Sequence, residues 1–173
     1  MFPRFPKRPR ALAAAALLLL LPAFALAQTW PKILEGDDLT RVVPSSFYFE
    51  GQSAPTQMRN SAAVQFGPNR FVIAGLVDTA GYSSEVQAKY QGFFITDSPI
   101  LVEGARLAAG AYGFGFTKGG RFNIMDVGGR RLLSVRAGHE LTLQRPRPLT
   151  IADSHRGGIR LYAGRDFVGL SVR

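Results

Sequence analysis

The sequence predicts an all-β fold, a single antiparallel β-sandwich or barrel with one or two short helices, on three observations. From Gly104 onward, short apolar or alternating runs recur at roughly 8–12-residue spacing, the rhythm of sandwich and barrel strands. Thirteen of the chain's 19 glycines fall in this stretch, most of them between the runs, including the pairs Gly119-Gly120, Gly128-Gly129 and Gly157-Gly158. No interval between the runs accommodates a helix of about ten residues, which argues against βαβ units.

The first 27 residues read as a secretory signal. Arg4, Lys7, Arg8 and Arg10 are followed by the uncharged run Ala11 to Ala27, which ends in Ala25-Leu26-Ala27. That order is a positive start, an apolar middle and a small-x-small cleavage site. The run is short for a ~30 Å hydrocarbon core and contains Pro22, so cleavage before Gln28 is expected rather than an uncleaved anchor. The expected residence is the periplasm or the exterior of a bacterium.

Residues 28–60 read as an irregular N-terminal segment. Asp37 to Val43 is a short-helix candidate, with acids at its start and Pro44 at its end. Phe47-Tyr48-Phe49 reads as a strand, and the polar stretch Gln52 to Asn60, with Pro55, as loop. The sandwich is assigned to 61–173. Ala62 to Phe66 and Arg70 to Asp78 flank Gly67-Pro68-Asn69 as a hairpin. Ser83 to Gln91 is a helix of a turn or two, with Ser84 and Gln87 in the form of a capping box. Further strands are expected at Phe93 to Thr96, Ile100 to Val102, Tyr112 to Phe116, Phe122 to Val127, Leu132 to Val135, Leu141 to Leu143, Leu149 to Ile151, Ile159 to Tyr162 and Phe167 to Val172.

The chain has no cysteine, which excludes disulfides, thiolate metal sites and cysteine nucleophiles and leaves stability to core packing. Charge divides unevenly. Residues 28 to 103 hold five bases and eight acids, whereas 104 to 173 hold twelve bases, eleven of them Arg, and four acids. Arginine suits bidentate contact with carboxylate or phosphate. Scattered singly through strands, most of these arginines read as solvated surface, with some pairing to the acids of 28 to 103. Arg145, Arg147, Arg156 and Arg160 are the candidate anion-binding residues, and weak, salt-sensitive polyanion binding is expected of them.

Tyr112-Gly113-Phe114-Gly115-Phe116 alternates at period 2, which places three aromatics on one face and the glycines on the other. The expected role of the rings is to line the core. The functional alternative keeps Tyr112, Phe114 and Phe116 as a platform for stacking on sugar rings or bases.

Asp153, Ser154 and His155 put an acid, a hydroxyl and an imidazole in one loop, the basis for an alternative reading as a secreted hydrolase. Turn-forming composition and the adjacency of Ser154 and His155 favour a turn instead. His139, Glu140, Asp153 and His155 lack the short-spaced clustering of a metal centre. Gly110-x-x-Gly113-x-Gly115 has no following helix to receive a phosphate, so no nucleotide cofactor is expected.

The phrase Gly104-Ala105-Arg106-Leu107-Ala108-Ala109-Gly110-Ala111-Tyr112, a G-x-x-L-x-x-G-x-Y hairpin, resembles one in secreted bacterial β-sandwich proteins of unknown function. The resemblance covers about a dozen residues. It implies a secreted sandwich and carries no site residue across. The expected function is a non-catalytic, cofactor-free exported binding or envelope-associated module. Its expected partner is an anionic glycan or envelope surface, and nucleic acid is not expected. A structural or assembly protein using exposed sheet edges is a further alternative.

Overall fold

The computed structural model describes residues 30–154 and 158–172; residues 1–29, which include the expected signal segment, and His155 and Arg156 lie outside them. In chain order the elements are β1 (Lys32–Leu34), α1 (Gly36–Val42), β2 (Ser46–Phe49), β3 (Gln52–Gly67), β4 (Arg70–Val77), α2 (Ser84–Lys89), β5 (Gly92–Thr96), β6 (Ile100–Val102) and β7 (Ala105–Leu107). There follow β8 (Gly110–Thr117), β9 (Arg121–Met125), β10 (Arg131–Arg136), β11 (Gly138–His139), β12 (Thr150–Asp153), β13 (Ile159–Ala163) and β14 (Asp166–Ser171). All ladders are antiparallel. The first sheet runs β1-β3-β4-β5-β8-β9-β10 with β2 on β3, and the second runs β12-β13-β14-β6-β7 with β11 on β14. The two sheets form a sandwich and do not close into a barrel.

The glycine-punctuated hairpins are set by turn chemistry. Glu50-Gly51 between β2 and β3, and Glu103-Gly104 between β6 and β7, hold two consecutive positive φ angles (43° and 87°, 47° and 77°). That is the type I′ geometry whose twist matches antiparallel strands. In the Gly67-Pro68-Asn69 turn, Asn69 takes the left-handed conformation at φ 54°.

The main core lies between the sheets. Val64, Val72, Phe94, Phe114, Phe122 and Ile124 of the first sheet meet Ile100, Val102, Ile159, Leu161, Val168 and Leu170 of the second. A second core covers the outer face of the first sheet, where β2 and α2 bring Phe47, Phe49, Tyr82, Val86 and Tyr90 onto Phe93 and Met125. Phe93 and Phe94 are therefore both fully buried although they point to opposite faces of β5. The centre of the first sheet is covered on both sides, so β5 reads as a continuous apolar run.

Three expectations are corrected. Gln52 to Asn60 is not loop: it is the first half of the 16-residue β3, paired with β2 from Ser46↔Pro55 to Phe49↔Gln52. Its polarity reflects exposure, since only Ala54 of this half is buried, and its register breaks between Thr56 and Ser61. The boundary at residue 60 therefore falls inside a strand. Leu141 to Leu143 is not a strand; Leu141 is 78% exposed in the loop between β11 and β12. The α2 cap is Ser83, whose hydroxyl accepts from the Val86 N–H at 3.3 Å, one residue before the expected Ser84.

Candidate functional site

Tyr112 and Phe114 are buried and Phe116 is half-buried against the main core, so the row offers no ring face to a ligand. The platform alternative for these three residues is corrected on that ground. The glycines between them admit the second core: a Cβ at Gly113 would collide with the Phe49 ring, and one at Gly115 with the Lys89 carbonyl. The G-x-x-L-x-x-G-x-Y phrase resolves into a tyrosine corner. The Tyr112 hydroxyl donates to the Ala108 carbonyl at 3.0 Å, and Gly110 leaves room for the phenol, which would lie 2.6 Å from a Cβ there. Burial raises the Tyr112 phenol above its ordinary value, so it remains the proton donor.

A polar hollow lies on the outer face of the second sheet. Cross-strand register builds its floor from two rows, Thr150↔Tyr162↔Phe167↔Gly138 and Ala152↔Arg160↔Gly169. Period 2 sends Leu161 and Val168 to the core and leaves Arg160, Tyr162 and Phe167 facing outward. The loop from Glu140 to Leu149 forms the wall. It is pinned to the β13–β14 turn by three bonds: Glu140 N–H to the Arg165 carbonyl (2.9 Å), Gly164 N–H to the Arg147 carbonyl (2.9 Å) and Arg165 Nη2 to the Leu143 carbonyl (3.1 Å). Pro146 and Pro148 fix backbone φ on either side of Arg147.

Between floor and wall is a groove of about 630 Å³. Arg145, Arg147 and Arg160 line it together with Glu140, Asp153 and Tyr162. Arg160 is its fixed point. Its guanidinium lies 4.0 Å over the Phe167 ring, Nη1 reaches the Tyr162 hydroxyl at 3.4 Å, and Glu140 Oε2 is 3.7 Å away. Tyr162 and Phe167 are themselves paired, with ring centroids 5.4 Å apart. Glu140 also accepts from the Thr142 hydroxyl at 2.6 Å. Arg145 and Arg147 are exposed at the rim.

Three of the four arginines singled out from the sequence thus share one groove, and the fourth, Arg156, lies outside the described residues. The expected pairing of the basic half with the acids of 28 to 103 is corrected. Among the described residues every ion pair joins partners from the same half, as in Lys89–Glu50, Arg130–Asp126 and Arg160–Glu140. What the sequence reading missed is the contribution of Phe167 and Tyr162. Strand register places Phe167 under the Arg160 guanidinium and Tyr162 beside it.

Among the described residues the other constellations are not brought together. Of the hydrolase alternative, His155 lies outside the described residues, Ser154 is buried and Asp153 is exposed. Ser154 N–H closes the β12–β13 hairpin onto the Gly158 carbonyl at 2.9 Å. His139 Nδ1 lies 2.6 Å from Asp166 Oδ1, across the β11–β14 ladder. Among the described residues no three His, Cys, Asp or Glu side chains form a metal-sized cluster. No helix among the described residues is long and apolar enough to cross a membrane. Comparison with known protein families, curated proteins and solved structures gives no match.

Proposed function

We propose that this protein is an exported, non-catalytic binding module that takes an anionic ligand in the groove between the Glu140–Leu149 loop and strands β12 and β13. The observation that carries the reading is the convergence of Arg145, Arg147 and Arg160 on one hollow, with Arg160 held over Phe167 before any ligand arrives. A guanidinium whose rotamers are already restricted loses less entropy when it engages an anion. Thr142, Gln144 and Thr150 supply the polar lining that a hydroxyl-bearing anion requires. Export follows from the charge order and Ala25-Leu26-Ala27 of the N-terminal segment.

Titration calorimetry of the purified protein with a heparin-type disaccharide at low salt tests this. Saturable binding is expected, lost in the variant Arg145→Gln/Arg147→Gln/Arg160→Gln and retained in Arg130→Gln/Arg131→Gln, which lies outside the groove. Equal binding by the two variants would assign the effect to net charge and overturn the groove.

A further inference from the structure

The groove is not an isolated hollow. Arg160 also lines a second depression of about 320 Å³, formed with Glu103, Gly104, Gly158, Gly169 and Ser171. Gly104 in turn lines a third, of about 330 Å³, flanked by Arg70, Leu101 and Arg106. The three depressions share walls in sequence: Arg160 joins the first to the second, and Gly104 joins the second to the third. They cross the second sheet in its strand order β12-β13-β14-β6-β7. Five strands at the usual ~4.8 Å separation make this a path of about 20 Å.

Its floor is kept low by small residues. Ala152 and Gly169 flank Arg160 in one cross-strand row, and Gly158 and Gly104 sit at adjoining hairpin turns. Arginines are spaced along it: Arg145 and Arg147 at one end, Arg160 in the middle, Arg106 and Arg70 at the other. Arg106 and Arg70 are exposed. Two of the acids along the path are already engaged. Glu103 accepts from the Gly169 N–H, and Glu140 from the Thr142 hydroxyl while facing Arg160.

We propose that the ligand is a linear acidic polysaccharide, laid across the strands of the second sheet from Arg145 and Arg147 over Arg160 to Arg106 and Arg70. This rests on the groove reading above and extends it from one anionic group to a chain of them. The concave course suits a narrow polymer rather than a flat anionic membrane. Single-stranded nucleic acid is recognised by a basic groove together with exposed aromatic rings for its bases. Here Tyr162 is buried and the half-buried Phe167 is covered by the Arg160 guanidinium, so the path offers charge and hydroxyl-matching groups without a stacking platform.

Binding of a heparin-type disaccharide and decasaccharide to the purified protein, with affinities expressed per disaccharide unit, tests the proposal. The decasaccharide should bind about tenfold or more tightly, since linked contacts act at high effective concentration. Ser171→Trp, which fills the middle depression from an exposed position, and Arg70→Gln/Arg106→Gln should each abolish that gain, so that the two oligosaccharides bind such a variant with equal affinity per unit. The double variant should also flatten the salt dependence of decasaccharide binding by about one unit of logarithmic slope per arginine. Two oligosaccharides of equal affinity, both weakened by Arg160→Gln, would leave the groove standing and overturn the track. Absence of binding by either would overturn the groove itself. Oligodeoxythymidine of matched charge or anionic vesicles binding as tightly as the decasaccharide would overturn the polysaccharide assignment.

Discussion

Arg160 and Phe114 show how one strand period assigns opposite fates to side chains. Arg160 occupies the outward phase of β13, where a guanidinium can keep solvent on one face while Phe167 supports the other. Phe114 occupies the inward phase of β8, fully buried, with the Phe122 ring 5.7 Å away. Truncating it leaves a cavity that neighbouring rings cannot collapse into. Phe114→Ala should therefore destabilise by about 3–5 kcal/mol, read from chemical denaturation. A variant of unchanged stability that has lost glycan binding would return the aromatic row to the surface. The same phase rule accounts for Gly113 and Gly115, which face the second core and leave no room for a side chain.

At the level of elements, β3 decides the organisation of the chain. Its first half carries β2, and its second half pairs with both β1 and β4. Through β2 it holds Phe47 and Phe49 on the outer face of the first sheet, where Phe49 stacks on Tyr90 at 3.9 Å and Phe47 on Phe93 at 5.4 Å. A chain restricted to 61–173 would uncover those partners and lose half of β3. It should show no cooperative unfolding transition and should bind a hydrophobic dye, whereas the protein including 30–60 unfolds cooperatively. A melt of the 61–173 fragment matching that of the whole protein would restore residue 60 as a domain boundary.

For the whole molecule, the second core makes stability sensitive to alkaline pH. Burial raises the phenol of Tyr90 far above its ordinary value, reinforced by the neighbouring Tyr82, and burial raises Tyr82 as well. Unfolded tyrosines release their protons near pH 10. Above that pH the native state holds more protons than the unfolded chain, so stability present below pH 10 is lost as pH rises. The loss approaches about 1.4 kcal/mol per pH unit for the Tyr90 phenol. Urea midpoints at pH 8 and pH 10.5 should fall more for the wild-type protein than for Tyr90→Phe. An identical fall in both would place the alkaline sensitivity outside this core.

The all-β class, most strand positions and both short helices were legible in the sequence, because they depend on signals local to a few residues. Glycine turns, period-2 alternation and the Pro44 stop act over less than a dozen positions. Arg145 and Arg147 lie in the proline-broken loop between β11 and β12, and Arg160 lies on β13. Gln52 to Asn60 escaped a local reading because a strand exposed on a peripheral layer carries no apolar signature, and its pairing to β2 is a matter of register. What only tertiary structure decided is the company each residue keeps. The sequence separates Arg70, Arg106 and Arg147 by dozens of residues, and the fold gives neighbouring depressions shared lining residues, Arg160 and Gly104. Cross-strand neighbours are set by hydrogen-bonded register between distant segments, and composition within a segment does not encode that register.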